Sequence, residues 1–136
     1  MTTLAVDTPR VFELGTINEL TAAAAIKEGA FVCALKADGT AVVGSVAAST
    51  HSFAGIAERG CASGAKVRLI TRGKVVMPVT GASAASVGAI VYASDDNALT
   101  LTASTNVPVG YVSRHISSTT CLVEFSATAE RDIAVA

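Results

Sequence analysis

A strand plan that occurs twice constrains this chain more than any other feature of its sequence. In the later copy, Val87-Gly88-Ala89-Ile90-Val91-Tyr92 opens a strand at a glycine, and Asp95-Asp96-Asn97 turns it. Leu99-Thr100-Leu101-Thr102 returns with strict alternation, Pro108-Val109-Gly110-Tyr111-Val112 re-enters through a second glycine, and Leu122-Val123-Glu124-Phe125 closes. In the earlier copy, Gly29-Ala30-Phe31-Val32-Cys33 starts the same plan and Ala37-Asp38-Gly39-Thr40 turns it. Ala41-Val42-Val43 returns, Phe53-Ala54-Gly55-Ile56-Ala57 re-enters and Lys66-Val67-Arg68-Leu69 closes. Gly29 aligns with Gly88 and Gly55 with Gly110, at an offset of about 55–60 residues. Two copies fall short of the three or more units that a solenoid needs. The pattern predicts an all-β body, a small barrel or sandwich-like arrangement with little helix. It spans residues 16–125 and is built from pseudo-repeats at about 22–72 and 81–125.

A chain of 136 residues suits one domain and buries roughly two-thirds of its unfolded surface. Its residues are 51% hydrophobic but only 4% aromatic, so the core must be filled mainly by Ala and Val. Val favours strands; Ala does not by itself. Only 15% of residues are charged, against about a quarter in an average protein. So little charge predicts that other subunits cover part of the surface. A net charge of −1 offers no electrostatic footprint for nucleic acid. No apolar run reaches the roughly 20 residues that cross a bilayer. The opening Met1-Thr2-Thr3-Leu4-Ala5-Val6-Asp7 lacks the basic and apolar regions of a signal peptide. Neither nucleic acid nor membrane is therefore expected as a partner.

Residues 1–15 read as an extended N-terminal arm, alternating through Leu4 and Val6, interrupted at Pro9 and resuming at Val11-Phe12-Glu13-Leu14. Such an arm can add a strand to a neighbour, and Phe12 gives it an apolar anchor. Leu4, Val6, Arg10 and Phe12 are the candidate partner-binding residues of this arm. Residues 126–136 read as a C-terminal tail outside the repeat, either a second extended arm or a fraying end. Ala22-Ala23-Ala24-Ala25 has high helix propensity, with Thr21 suited to an N-cap and Gly29 to a stop. The stretch is short, and its counterpart Gly81-Ala82-Ser83-Ala84-Ala85-Ser86 is a poor helix former. At most a turn or two of helix, or an extended segment in both copies, is expected. Residues 66–79 show the clearest alternation, which places Lys66, Arg68 and Lys74 on one exposed strand face. Lys66 and Arg68 are thus candidates for a basic stripe that docks an acidic partner, or else a solvated face. Pro78 marks an edge or a strand end.

The residues offer no catalytic constellation. His51 and His115 lie among Ser and Thr in segments read as loops, the second being residues 113–120, with no nucleophile-elbow glycines nearby. Asp95-Asp96-Asn97 lacks the spaced ligands of a calcium loop and reads as a hairpin turn. Gly60-Cys61-Ala62-Ser63-Gly64-Ala65-Lys66 has the wrong spacing for a phosphate loop. Lys36, near the Asp38-Gly39 turn, lacks the flanking pattern of a lipoyl or biotinyl carrier. Cys33, Cys61 and Cys121 form no metal-binding spacing. Cys33 and Cys121 sit in apolar strand patterns and read as buried thiols, which suits synthesis in a reducing cytoplasm. No enzyme activity, metal or cofactor is expected.

The ordered series from Gly29-Ala30-Phe31-Val32 to Leu122-Val123-Glu124-Phe125, with a small-Ala-Ala-x-Ile-x-x-Gly opening at residues 23–29, resembles the capsid cement or decoration proteins of tailed bacteriophages. That resemblance covers about residues 20–125. It implies a small β-rich structural protein, commonly a homotrimer on the outer surface of the expanded capsid. Such proteins clamp neighbouring major capsid proteins and carry no catalytic residues. Its localisation would be the virion, after synthesis in the bacterial host cytoplasm. The alternative is a virion surface-displayed receptor- or glycan-binding module; an aromatic platform would favour it, but Tyr92 and Tyr111 are placed by the repeat and read as packed.

Overall fold

Alternation in a Val-rich chain sets strands, and the computed structural model, which describes residues 16–42 and 47–127, has ten of them. They are β1 (Ile17–Thr21), β2 (Phe31–Leu35), β3 (Ala41–Val42), β4 (His51–Ala57) and β5 (Lys66–Ile70), then β6 (Arg72–Thr80), β7 (Ile90–Asp95), β8 (Ala98–Thr100), β9 (Val107–Ser117) and β10 (Thr120–Ser126). The fold is all-β, as the alternation predicts. One 3-10 turn, Ala84–Ser86, is capped by Ser83, whose hydroxyl accepts from the Ala85 N–H. The four-alanine run at residues 22–25 forms no helix. Ala22 and Ile26 are instead buried, and backbone bridges from Ala22 to Ala41 and from Ile26 to Cys61 hold the segment on either side of a bend at Ala23 and Ala24. Tertiary burial of two side chains outweighs propensity in so short a stretch.

The first five strands form a sheet in the order β1-β5-β4-β2-β3, and the last five form a closed barrel, β10-β6-β8-β7-β9. Starting from β6, the barrel runs β6-β10-β9-β7-β8, the same neighbour order as the sheet. Parallel pairing of β6 with β8 closes the barrel, and the parallel Ala22–Ala41 bridge touches the corresponding seam of the sheet. The correspondence extends to single residues. Opposite pairs Phe31–Ile56, Val32–Gly55 and Cys33–Phe53 of β2 and β4 match Ile90–Tyr111, Val91–Gly110 and Tyr92–Pro108 of β7 and β9. Both ladders shift register at the same step, after Val32 and after Val91.

The repeated glycines lie at that step. Gly55 has φ +141°, and a Cβ there would stand 2.6 Å from the Ile70 carbonyl oxygen. At Gly110 a Cβ would overlap the Glu124 carbonyl. Each glycine lets a bulged strand press its backbone against the next strand, which turns the sheet inward.

Two clusters fill the interior. The first unit's own core is thin and alanine-rich, with Ala22, Ala30, Ala41, Ala54 and Ala57 around Ile26, Val32, Val67 and Leu69. In the barrel, Val109 and Val112 take the places of Ala54 and Ala57, beside Val79, Val91, Leu99, Val107, Cys121 and Val123. The outward side chains of β2 and β4 join the barrel's cluster: Phe31, Cys33, Phe53 and Ile56 are buried there. Phe53 stacks on Phe31 at 5.9 Å and meets Phe125 edge-on at 6.4 Å and 82°. Phe125 continues the inward series Cys121, Val123 at the end of β10. The first sheet therefore caps the end of the barrel where β10 finishes. Two backbone bonds fix the seam: Phe31 N–H donates to the Asp96 carbonyl at 2.8 Å, and Ala48 N–H to the Thr105 carbonyl at 2.9 Å.

Four local readings differ from expectation. Residues 66–79 are two strands, because the chain leaves the sheet at Thr71, whose N–H donates to the Thr16 carbonyl, and enters the barrel at Arg72. Pro78 sits within β6, where pairing passes from β10 (through Pro78) to β8 (from Val79), so its missing N–H is tolerated. The polar residues 113–117 are strand, and His51 begins β4 rather than ending a loop. Ladder bonds to β10 and β2 satisfy those backbones whatever the side chains are. The expected arm at 1–15 lies outside the described residues, as does the tail beyond Ala127; Ser126 ends β10 and the Ala127 N–H donates to the Thr71 carbonyl.

Gly110→Ala forces a backbone-to-side-chain overlap that no rotamer relieves. It should lower unfolding stability by about 3 kcal/mol or more, read as a fall in the urea midpoint. Val76→Ala on the exposed barrel face should stay within about 0.5 kcal/mol of the parent.

Candidate functional site

Of the candidate partner-binding residues, Leu4, Val6, Arg10 and Phe12 lie outside the described residues. Lys66 and Arg68 project from the outer face of β5, where alternation buries Val67 and Leu69. β1 lies antiparallel beside them, which sets Thr21 opposite Lys66 and Glu19 opposite Arg68. Lys66 Nζ donates to Thr21 Oγ1 at 3.0 Å, and Arg68 Nε lies 3.7 Å from Glu58 Oε2. Lys74 is in the barrel, on β6, 4.0 Å from Glu124 Oε1. The three basic residues do not share one sheet. Exposed pairs of this kind contribute about 0–1 kcal/mol, so they do not hold the fold. They do reduce the net positive field of β5.

Among the described residues the titratable side chains do not converge. His51 Nδ1 lies 2.8 Å from Thr50 Oγ1, and His115 Nε2 donates to the Ser118 carbonyl at 2.8 Å. Among the described residues no three of His, Cys, Asp and Glu gather as a metal site. Cys33 and Cys121 are buried and Cys61 is partly exposed; burial pushes the Cys121 thiol up. Asp38 terminates the β2–β3 turn, accepting from the Thr40 N–H and hydroxyl, which lowers its carboxyl. Asp96 is raised by burial and then by neighbouring Asp95. An open cleft of about 390 Å³ lies between the two units, lined by Lys27, Glu28, Gly29, Ala30, Asp96 and Asn97. One lysine faces two acids there, with no nucleophile and no base oriented by a third group.

The surface feature that stands out is apolar. Val76, Val87, Ile90, Tyr111 and Ile116 are the exposed large hydrophobics among the described residues, and all five belong to the second unit. Pairing sets Ile90, Tyr111, Glu124 and Lys74 in one row across β7, β9, β10 and β6. Arg114, Leu122 and Val76 form the next row. Tyr111 donates its phenol hydrogen to Glu124, and this bond, with burial and the carboxylate charge, raises the phenol above its usual range. Sequence reasoning set Lys74 on an exposed strand face, and the exposure of Lys74, with Val76 two residues further on, agrees. It missed the exposure of Ile90 and Tyr111, whose apolar character reads as core.

A profile described as phage cement protein matches residues 12–125, which takes in β1 to β9 and β10 up to its last residue. The chain belongs to the phage cement proteins. No curated protein matches it. A cement protein is a structural component associated with the phage capsid, and the β body described above, with no converging catalytic groups among the described residues, is the part that defines this one.

The Tyr111–Glu124 bond is open to titration. The phenol of Tyr111 should ionise above its ordinary value of about 10, and Glu124→Gln should bring it down, both read by ultraviolet difference absorbance. Because the folded state holds this proton more tightly, the bond's stabilising effect is full below the unfolded phenol's value and is lost as pH rises through the folded one.

Proposed function

We propose that this cement protein binds the outer surface of the expanded phage head as a homotrimer and braces contacts between neighbouring major capsid proteins. The observation that carries the reading is the family match across residues 12–125, the whole β body. Physical features support it. A closed barrel capped by a second sheet is stiff enough to brace a seam. A trimer satisfies symmetric binding at a three-fold position. Many copies on one shell gain avidity from modest individual contacts. The N-terminal residues Leu4, Val6, Arg10 and Phe12, with Lys66 and Arg68, are the proposed contacts. An arm that orders on binding reaches a large area at an entropic cost. Reduced cysteines fit synthesis in the host cytoplasm.

Co-sedimentation of the purified protein with shells of its cognate major capsid protein tests this. Saturable binding to expanded shells and none to unexpanded shells is expected. Binding to neither overturns the capsid reading and directs work to glycan and receptor screens. Deleting residues 2–14 should weaken attachment while leaving the thermal transition in place. Changing Lys66 and Arg68 together to Ser should lower affinity and flatten its salt dependence. If both stay unchanged, those residues form only a solvated face.

A further inference from the structure

The barrel closes along a short seam. β6 pairs with β10 from Arg72 to Pro78 and with β8 at Val79 and Thr80. Among the described residues nothing pairs with the other edge of β6 between Arg72 and Pro78. The register identifies the backbone groups on that edge. Val79 N–H donates to the Thr119 carbonyl, so Gly73, Val75 and Met77, in the same phase, turn their N–H and C=O groups toward β10. Those of Arg72, Lys74 and Val76 point to the open edge. Pro78 has no N–H to offer there, and the open run ends with it. Burial changes at the same point. Val79, beside β8, is fully buried, whereas Val75 and Met77, in the same inward phase, are half-buried. Their partners across the paired edge, Val123 and Cys121, are buried. An apolar slot therefore runs along the open edge of β6.

We infer that residues 128–136 of this same chain supply the strand that fills the slot, parallel to β6 and in line with β8. The exit point favours this segment. Ala127 N–H donates to the Thr71 carbonyl at 2.8 Å, which starts it beside the foot of β6. Neighbouring strands lie about 4.8 Å apart, so it must cross roughly 10 Å from the β10 side to the open edge, a span for about three or four extended residues. Residues 132–136 are then left to pair. Their order suits the path. Glu130 and Asp132 come where the crossing passes the exposed Arg72. Ile133 and Val135 alternate with Ala134 and Ala136, so one phase sets two branched side chains beside Val75 and Met77 and the other sets alanines outside. The parallel sense is the one β8 already uses with β6. An uncovered edge is a template for strands of other chains, and this segment closes it from within. The inference does not rest on capsid binding, because it concerns the free protein.

Amide hydrogen exchange, followed by NMR on the full chain and on a variant ending at Ala127, tests it. In the full chain the Lys74 and Val76 N–H groups should be protected. In the shortened variant both should exchange at least about tenfold faster, while Val75 and Met77, bonded to β10, keep their protection. Fast exchange of Lys74 and Val76 in the full chain, or no change on shortening, overturns the proposal. Ile133→Asp combined with Val135→Asp should act as the shortening does, and it serves alone if the shortened chain fails to fold. Protection that disappears on deleting residues 2–14 would make the N-terminal arm the occupant, and protection that disappears on dilution would make it a second copy. Either result overturns the assignment to residues 128–136. Failure here leaves the capsid reading standing, and failure to bind shells leaves this one standing.

Discussion

The edge-on contact of Phe53 with Phe125 is where two similar units become one body. By itself such a ring pair contributes about 1 kcal/mol beyond the area it buries. Its position gives it more weight. Phe125 is at the end of the barrel's inward series, and Phe53, Phe31 and Ile56 lie over it from the neighbouring sheet. Without that cover the barrel would open its valine core to water at one end. The first sheet would likewise expose an aromatic face over an alanine-rich core too thin to stand well alone.

The units keep a common topology while dividing the work of packing. Gly55 and Gly110 are preserved in both because a strand must cross close to its neighbour's carbonyl at the bulge, and any Cβ would collide there. Elsewhere size differs. Val109 and Val112 stand where the first unit has Ala54 and Ala57. Larger interior side chains accompany a closed barrel, and smaller ones a sheet whose seam is joined, among the described residues, at the Ala22–Ala41 bridge. The first unit gains its burial from outside, by lying against the barrel.

For a capsid component the consequence is a capped barrel on a chain whose net charge is only −1. The positive charges of β5 have local answers in Thr21, Glu19 and Glu58. The apolar side chains left in water gather on the second unit. Surfaces of that composition associate through shape and apolar burial more than through long-range charge.

Much of this was legible in the chain. The paired glycines, the Asp38-Gly39 and Asp95-Asp96-Asn97 turns and the Val alternation announce β structure and its duplicated plan, because side-chain period and turn chemistry are local properties. The buried state of Cys33 and Cys121 follows from the same alternation. Other features depended on which strand lies beside which. The break at Thr71 between sheet and barrel is invisible in residues 66–79, since alternation continues across it while the pairing partners change from β1 and β4 to β10. The strand state of residues 113–117 comes from the β10 ladder, not from their polar side chains. The sequence by itself determined the fold class, the hairpin turns and the inward and outward phase along β5 and β6. Only the tertiary structure decided that Phe31 and Ile56 are covered while their counterparts Ile90 and Tyr111 face water. An outward apolar residue reads the same in either case, and its burial is set by the element packed against it.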